Sequence, residues 1–129
     1  MTAPSEQQHA TALLSMLTTG NVPVFEVDAI KSMGTPPQKY AEFELEWRPG
    51  AVSRANAQQT ANGYRFTTYY IADNVANARN VLRLVEAAVR GKRVTVAGRV
   101  STPIQRESAD PIDEVNGRYS GWTTWTYVL

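Results

Sequence analysis

Few residues in this chain could do chemistry. His9 is the only histidine among 129 residues, and there is no cysteine. It lies in an N-terminal segment, Met1-Thr-Ala-Pro-Ser-Glu-Gln-Gln-His9, that is expected to be polar and frayed. A Ser-His-Asp triad, a histidine base or a zinc site is therefore not expected, since each needs an imidazole or thiolate held among converging partners. A second possibility is Glu42, Glu44 and Glu46, which alternate with Ala41, Phe43, Leu45 and Trp47 and so share one strand face. Carboxylates so grouped bind a hard cation or exchange protons only with further ligands from elsewhere and a shifted pKa. Otherwise they form a solvated or partner-facing surface, and repulsion among like charges favours a basic neighbour. A third is Arg79, Arg83 and Arg90, which reads either as a phosphate-contacting stripe or as a solvated helix face. No helix-turn-helix, zinc finger or RNP-like aromatic sequence accompanies it, so base readout is not expected. There is no Walker lysine loop and no dinucleotide fingerprint, and Gly117-Arg-Tyr-Ser-Gly121 is turn chemistry. The expectation is a non-enzyme with no catalytic residues, metal or cofactor.

The elements that position these residues centre on Tyr64 to Arg106. Tyr64-Arg-Phe-Thr-Thr-Tyr-Tyr-Ile71 alternates aromatic and β-branched residues, placing Tyr64, Phe66, Thr68 and Tyr70 on one side of a strand. Asp73 or Asn74 caps a helix whose Val75, Ala78, Val81, Leu82, Val85, Ala88 and Val89 form one apolar stripe, and Gly91 ends it. Upstream, Ser5 with Gln8 suggests a capping box for a short helix bearing Ala10, Leu13, Leu14 and Leu17. Val22 to Val27 follows as a strand that Pro23 places at an edge, then a loop over 28–39 containing Gly34-Thr-Pro-Pro37. Arg48-Pro-Gly50 breaks the Glu-bearing strand. Residues 48–63 read either as a mobile loop that orders on assembly or as a plain hairpin. Arg93 to Val96 is a short strand with a bend at Ala97-Gly98-Arg99, Thr102 to Glu107 returns as another, and Ser108 to Gly117 reads as an acidic loop. The terminal strand from Ser120 carries apolar residues on both faces, one for the core and the other for a partner or for cross-strand aromatic packing.

Composition bounds the whole. With 43% hydrophobic residues the chain suits a single domain over 1–129, able to bury a core without staples. It has no basic leader followed by an apolar run and nothing near the ~18 apolar residues of a spanning helix, so a soluble cytoplasmic protein is expected. The net charge of +1 is unevenly spread: −4 through Trp47, +7 from Arg48 to Glu107 and −2 beyond. Such segregation fits complementary faces of a self-assembling subunit, weak attraction to nucleic acid, or pairing within the monomer.

In order and spacing, these pieces resemble the tail-terminator (tail-completion) proteins of long-tailed phages, especially those of actinobacterial hosts. The resemblance covers nearly the whole chain. It is carried by the opening helix with Val22-Pro-Val-Phe25, the Pro-rich loop leading to Tyr40, the Arg48-Pro-Gly50 break and the strand from Tyr64. It continues through Val89-Arg-Gly91, Val96-Ala-Gly-Arg99, Pro103-Ile-Gln-Arg-Glu-Ser108, Asp110-Pro-Ile-Asp113 and the strand closing on Tyr127. The triple-Glu face departs from a usually more apolar pattern. The resemblance implies an α+β two-layer sandwich, a mainly antiparallel or mixed sheet with two helices on one face. It also implies a hexameric ring on the head-proximal end of the tail tube, in the virion, assembled in the host cytoplasm. Its partners would be the tail tube protein and the head-completion or neck proteins, with DNA passing through the channel unread and no membrane involved. Glu42, Glu44 and Glu46 against Arg54, Arg79, Arg83 or Arg90 of a neighbour are the expected subunit contacts. The alternatives are a head-completion or neck connector and a small monomeric ligand-binding α+β domain.

Overall fold

A computed structural model describes residues 4–27, 37–46 and 63–129. The 48–63 loop expectation, Arg54 and Trp47 therefore fall outside the described residues, save for Gly63, which opens a strand.

Helix α1 spans Glu6–Thr18, capped as its sequence suggests: the Ser5 side chain accepts from the Gln8 amide and the Gln8 side chain accepts from the Ser5 amide. Strand β1 (Val24–Glu26) follows, then β2 (Lys39–Glu46) and β3 (Gly63–Ala72). Helix α2 (Val75–Val89) begins at Asn74, whose side-chain oxygen accepts from the Asn77 amide. Gly91, at φ 74°, lies just beyond its end in the left-handed region that glycine adopts without strain. A tight hairpin of β4 (Thr95–Val96) and β5 (Arg99–Val100) turns through Ala97 and Gly98, both at positive φ. Strands β6 (Gln105–Val115) and β7 (Arg118–Val128) complete the chain.

The main sheet runs β1-β2-β3-β7-β6, with β1 parallel to β2 and the other pairs antiparallel. Both helices pack on one face, so the architecture is the expected two-layer α+β arrangement with a mixed sheet. As Pro23 indicates, β1 is an edge; the Pro23 carbonyl accepts from the Ala41 amide at 2.8 Å, and its missing N–H costs nothing there. The helices bury Phe43, Phe66, Tyr70 and Trp125 beneath Leu13, Leu17, Val81 and Val85. Under that layer the Trp125 indole N–H donates to Thr68, Thr68 donates to the Tyr70 hydroxyl, and Tyr70 donates to Thr123 at 2.7 Å. The chain of donors and acceptors satisfies the buried polar side-chain atoms of Trp125, Thr68, Tyr70 and Thr123 and ties β3 to β7.

Two expectations need correction. Ser108 to Gly117 is not an acidic loop: β6 continues to Val115, and only Asn116-Gly117, both at positive φ, make the turn into β7. Pro111 is tolerated because β6 is an edge and the pairing shifts register between Asp110 and Asp113, where a bulge needs no donor. His9 is not frayed. It is fully buried, its Nδ1 lies 2.6 Å from the Tyr127 hydroxyl, and its ring lies 4.2 Å from that of Tyr64.

Candidate assembly interface

The residues singled out by type fall on opposite sides of the subunit. Because Ala41, Phe43 and Leu45 turn toward the helices, Glu42, Glu44 and Glu46 lie on the sheet face that no helix covers. The register sets Glu46 beside Arg65, Glu44 beside Thr67 and Glu42 beside Tyr69. The basic neighbour that three clustered carboxylates call for is therefore partly supplied within the monomer. Arg65 reaches Glu107 at 2.7 Å and Glu46 at 3.4 Å, and its charged form is favoured first by the hydrogen bond to Glu107. The Tyr69 hydroxyl donates to Glu44 at 3.3 Å; burial first, then the Glu44 charge, pushes its pKa up. Tyr69 also stands opposite Trp122 in the β3–β7 register, which sets two aromatic residues side by side on this face.

The arginines lie on the far side. Arg79 and Arg83 are exposed on α2, and Arg90, also exposed, is the residue that caps its C-terminal end. Arg90 pairs with Glu86 one turn earlier at 3.9 Å, and Arg106 of β6 reaches the same carboxylate at 3.9 Å. None of these arginines meets the Glu42–Glu46 face within one subunit. The arrangement presents an acidic surface at Glu42, Glu44 and Glu46 and a basic surface at Arg79 and Arg83.

One solved structure superposes on the chain with a TM-score of 0.66 at 15% identity, covering 96% of this chain and 94% of the other. A chain from the virion of a native gene transfer agent (GTA) particle superposes with a TM-score of 0.60 at 14% identity, covering 95% and 88%. The fold is shared with a chain of that virion. At these identities the likeness is one of fold, extending over nearly the full length of both chains. No protein-family model and no curated protein sequence matches this chain.

Sequence reasoning missed two features. His9 gave no signal because burial comes from β3 and β7, more than fifty residues away in sequence. Arg65 was visible as a charge on the face of β3 opposite Tyr64, but its carboxylate partners on β2 and β6 depend on strand order. Among the described residues no group of three or more His, Asp or Glu could hold a metal ion, and no helix is long and apolar enough to cross a membrane.

Proposed function

We propose that this chain is a non-catalytic structural protein of a phage-like particle and, within it, a tail terminator. The carrying observation is the fold shared over 95% of the chain with a protein of a gene transfer agent virion. The order of motifs from Val22-Pro-Val-Phe25 to the strand closing on Tyr127 supports the finer assignment. In this reading six copies form a ring on the head-proximal end of the tail tube, each offering its acidic sheet face toward the basic α2 face of the next. The ring stops tube polymerisation and presents a docking surface to head-completion or neck proteins, while DNA passes through unread. Assembly takes place in the host cytoplasm, and the finished protein resides in the virion.

The test is the mass of the purified protein across a concentration series, with electron microscopy of large species and a tube-growth assay. A ring of six 14.3 kDa chains that halts growing tubes is the expected result. Protein that neither binds tubes nor limits their length overturns the assignment, and binding on the portal side without tube-length control points to a neck connector.

A further inference from the structure

The most exposed large hydrophobic side chains of the described residues are Val100, at 61%, and Val115, at 55%. They sit in surroundings of opposite charge. Val115 closes β6 beside Asp113 and Glu114, neither of which makes an ion pair among the described residues. Arg118, the register partner of Val115, donates to the Pro37 carbonyl at 3.0 Å and lies 5.6 Å from the centre of the Tyr40 ring, so the tip carries two carboxylates against one guanidinium. Val100 closes β5, pairs across the hairpin with Thr95, and is flanked by Arg99 and by Arg93, which donates to the Ser101 carbonyl.

On the Thr95 side of that hairpin a groove of about 430 Å³ separates it from α1. Its floor is Ala12, Met16, Ala88 and Val94, its rim includes Lys92 and Arg93, and no carboxylate lines it. The acidic tip and this basic groove lie at opposite ends of β7. The tip turns into Arg118, whereas Val128 at the far end is hydrogen-bonded to Thr102, and Ile104 binds back to Gly91 and Lys92. Eleven strand residues span roughly 33 Å at about 3.3 Å each, so one subunit cannot bring its own tip to its own groove.

We infer that the β6–β7 tip of one copy docks in the groove between α1 and the β4–β5 hairpin of the next copy, Val115 on the apolar floor and Asp113 and Glu114 against Lys92 and Arg93. The occupant is a second copy of this chain because the two patches match in charge, each centres on apolar surface, and they point from opposite ends, as a repeating head-to-tail contact requires. That the contact closes into a ring rests on the terminator reading; the contact itself does not.

The chain has no cysteine, which makes engineered crosslinking clean. In the full chain, Thr95→Cys combined with Val115→Cys is expected to give, on oxidation, a ladder of covalent multimers that neither single variant gives. Val115→Asp, at an exposed position, is expected to keep the parent circular dichroism and weaken self-association roughly tenfold or more. A ladder ending at six supports both the docking and the ring; a ladder that runs on without closing supports the docking and rejects the ring. Parent rings with no ladder in the double variant, and Val115→Asp assembling like the parent, overturn the docking and leave the ring standing. Dimers from Val115→Cys alone overturn it in favour of tip-to-tip contact. A parent that stays monomeric even with tail tubes, and a double variant that gives no ladder, overturn both.

Discussion

His9 concentrates more physics than any other side chain here. It is enclosed by Tyr64 and Tyr127, and burial, with a lesser contribution from the Arg99 charge, pushes its pKa down from 6.5 to about 4. The imidazole is therefore neutral in the folded protein at neutral pH. Burial also pushes the Tyr127 pKa up, so the phenol keeps its proton. Since the folded pKa is below the unfolded one, the unfolded chain binds the extra proton first. This contribution to stability is full above pH 6.5 and is lost as pH falls toward 4. By pH 4 the loss amounts to about 3 kcal/mol at about 1.4 kcal/mol per pKa unit. Urea titrations between pH 7 and pH 4 should show this decline in the parent and a shallower one in His9→Gln, whose side chain does not titrate; parallel slopes would refute the assignment.

Among the elements, the packing of the two helices depends on a close approach rather than on a special backbone angle. A Cβ on Gly20, just after α1, would stand 2.9 Å from the Leu84 carbonyl oxygen of α2. Backbone cannot swing aside as a side-chain tip can, so Gly20→Ala must push the end of α1 away from α2. A loss of about 1–3 kcal/mol is expected, as for other overpacked sites, read as a lower urea midpoint with unchanged slope. An unchanged midpoint would mean the helix pair yields freely. Strand β6 illustrates the opposite case, an element whose own sequence argues against it. Its residues are almost all exposed and Pro111 interrupts it, yet eleven residues are held as strand by pairing with β7. Nothing in Ser108 to Val115 alternates between polar and apolar, because neither face of an exposed edge needs to be apolar.

At the scale of the molecule, and among the described residues, Glu42, Glu44 and Glu46 lie on the open sheet face, with Arg65 among them, while Arg79 and Arg83 lie exposed on α2. Glu46 and Glu107 share Arg65, whereas Glu44, exposed, accepts from a neutral hydroxyl and carries an unneutralised charge toward whatever covers that face. Under the ring reading, Glu44→Lys should weaken self-association by roughly tenfold at physiological salt, and Arg83→Glu in the same chain should restore part of it. Light scattering over a concentration series decides; a Glu44→Lys protein that assembles like the parent removes this pair from the interface. Higher salt should weaken the parent contact as well, because exposed charges are screened over about 8 Å at physiological ionic strength.

What the sequence by itself determined is local. The capping box at Ser5, the alternation in β2 and β3, the apolar stripe of α2 and its glycine stop, and the edge position of β1 each follow from residues within one or two turns or a few strand positions. Such signals survive because dihedral preference, side-chain direction and capping act over short separations. The α+β class came with the family resemblance that their order and spacing carry, and the mixed sheet with its two helices agrees with it. Tertiary structure alone decided which residues are covered and what they touch. It buried His9, joined Arg65 to carboxylates from two other strands, made a strand of a segment that reads as loop, and set an acidic tip and a basic groove at opposite ends of β7. Each depends on strands distant in sequence becoming neighbours, and no spacing along the chain encodes which strand will lie beside which.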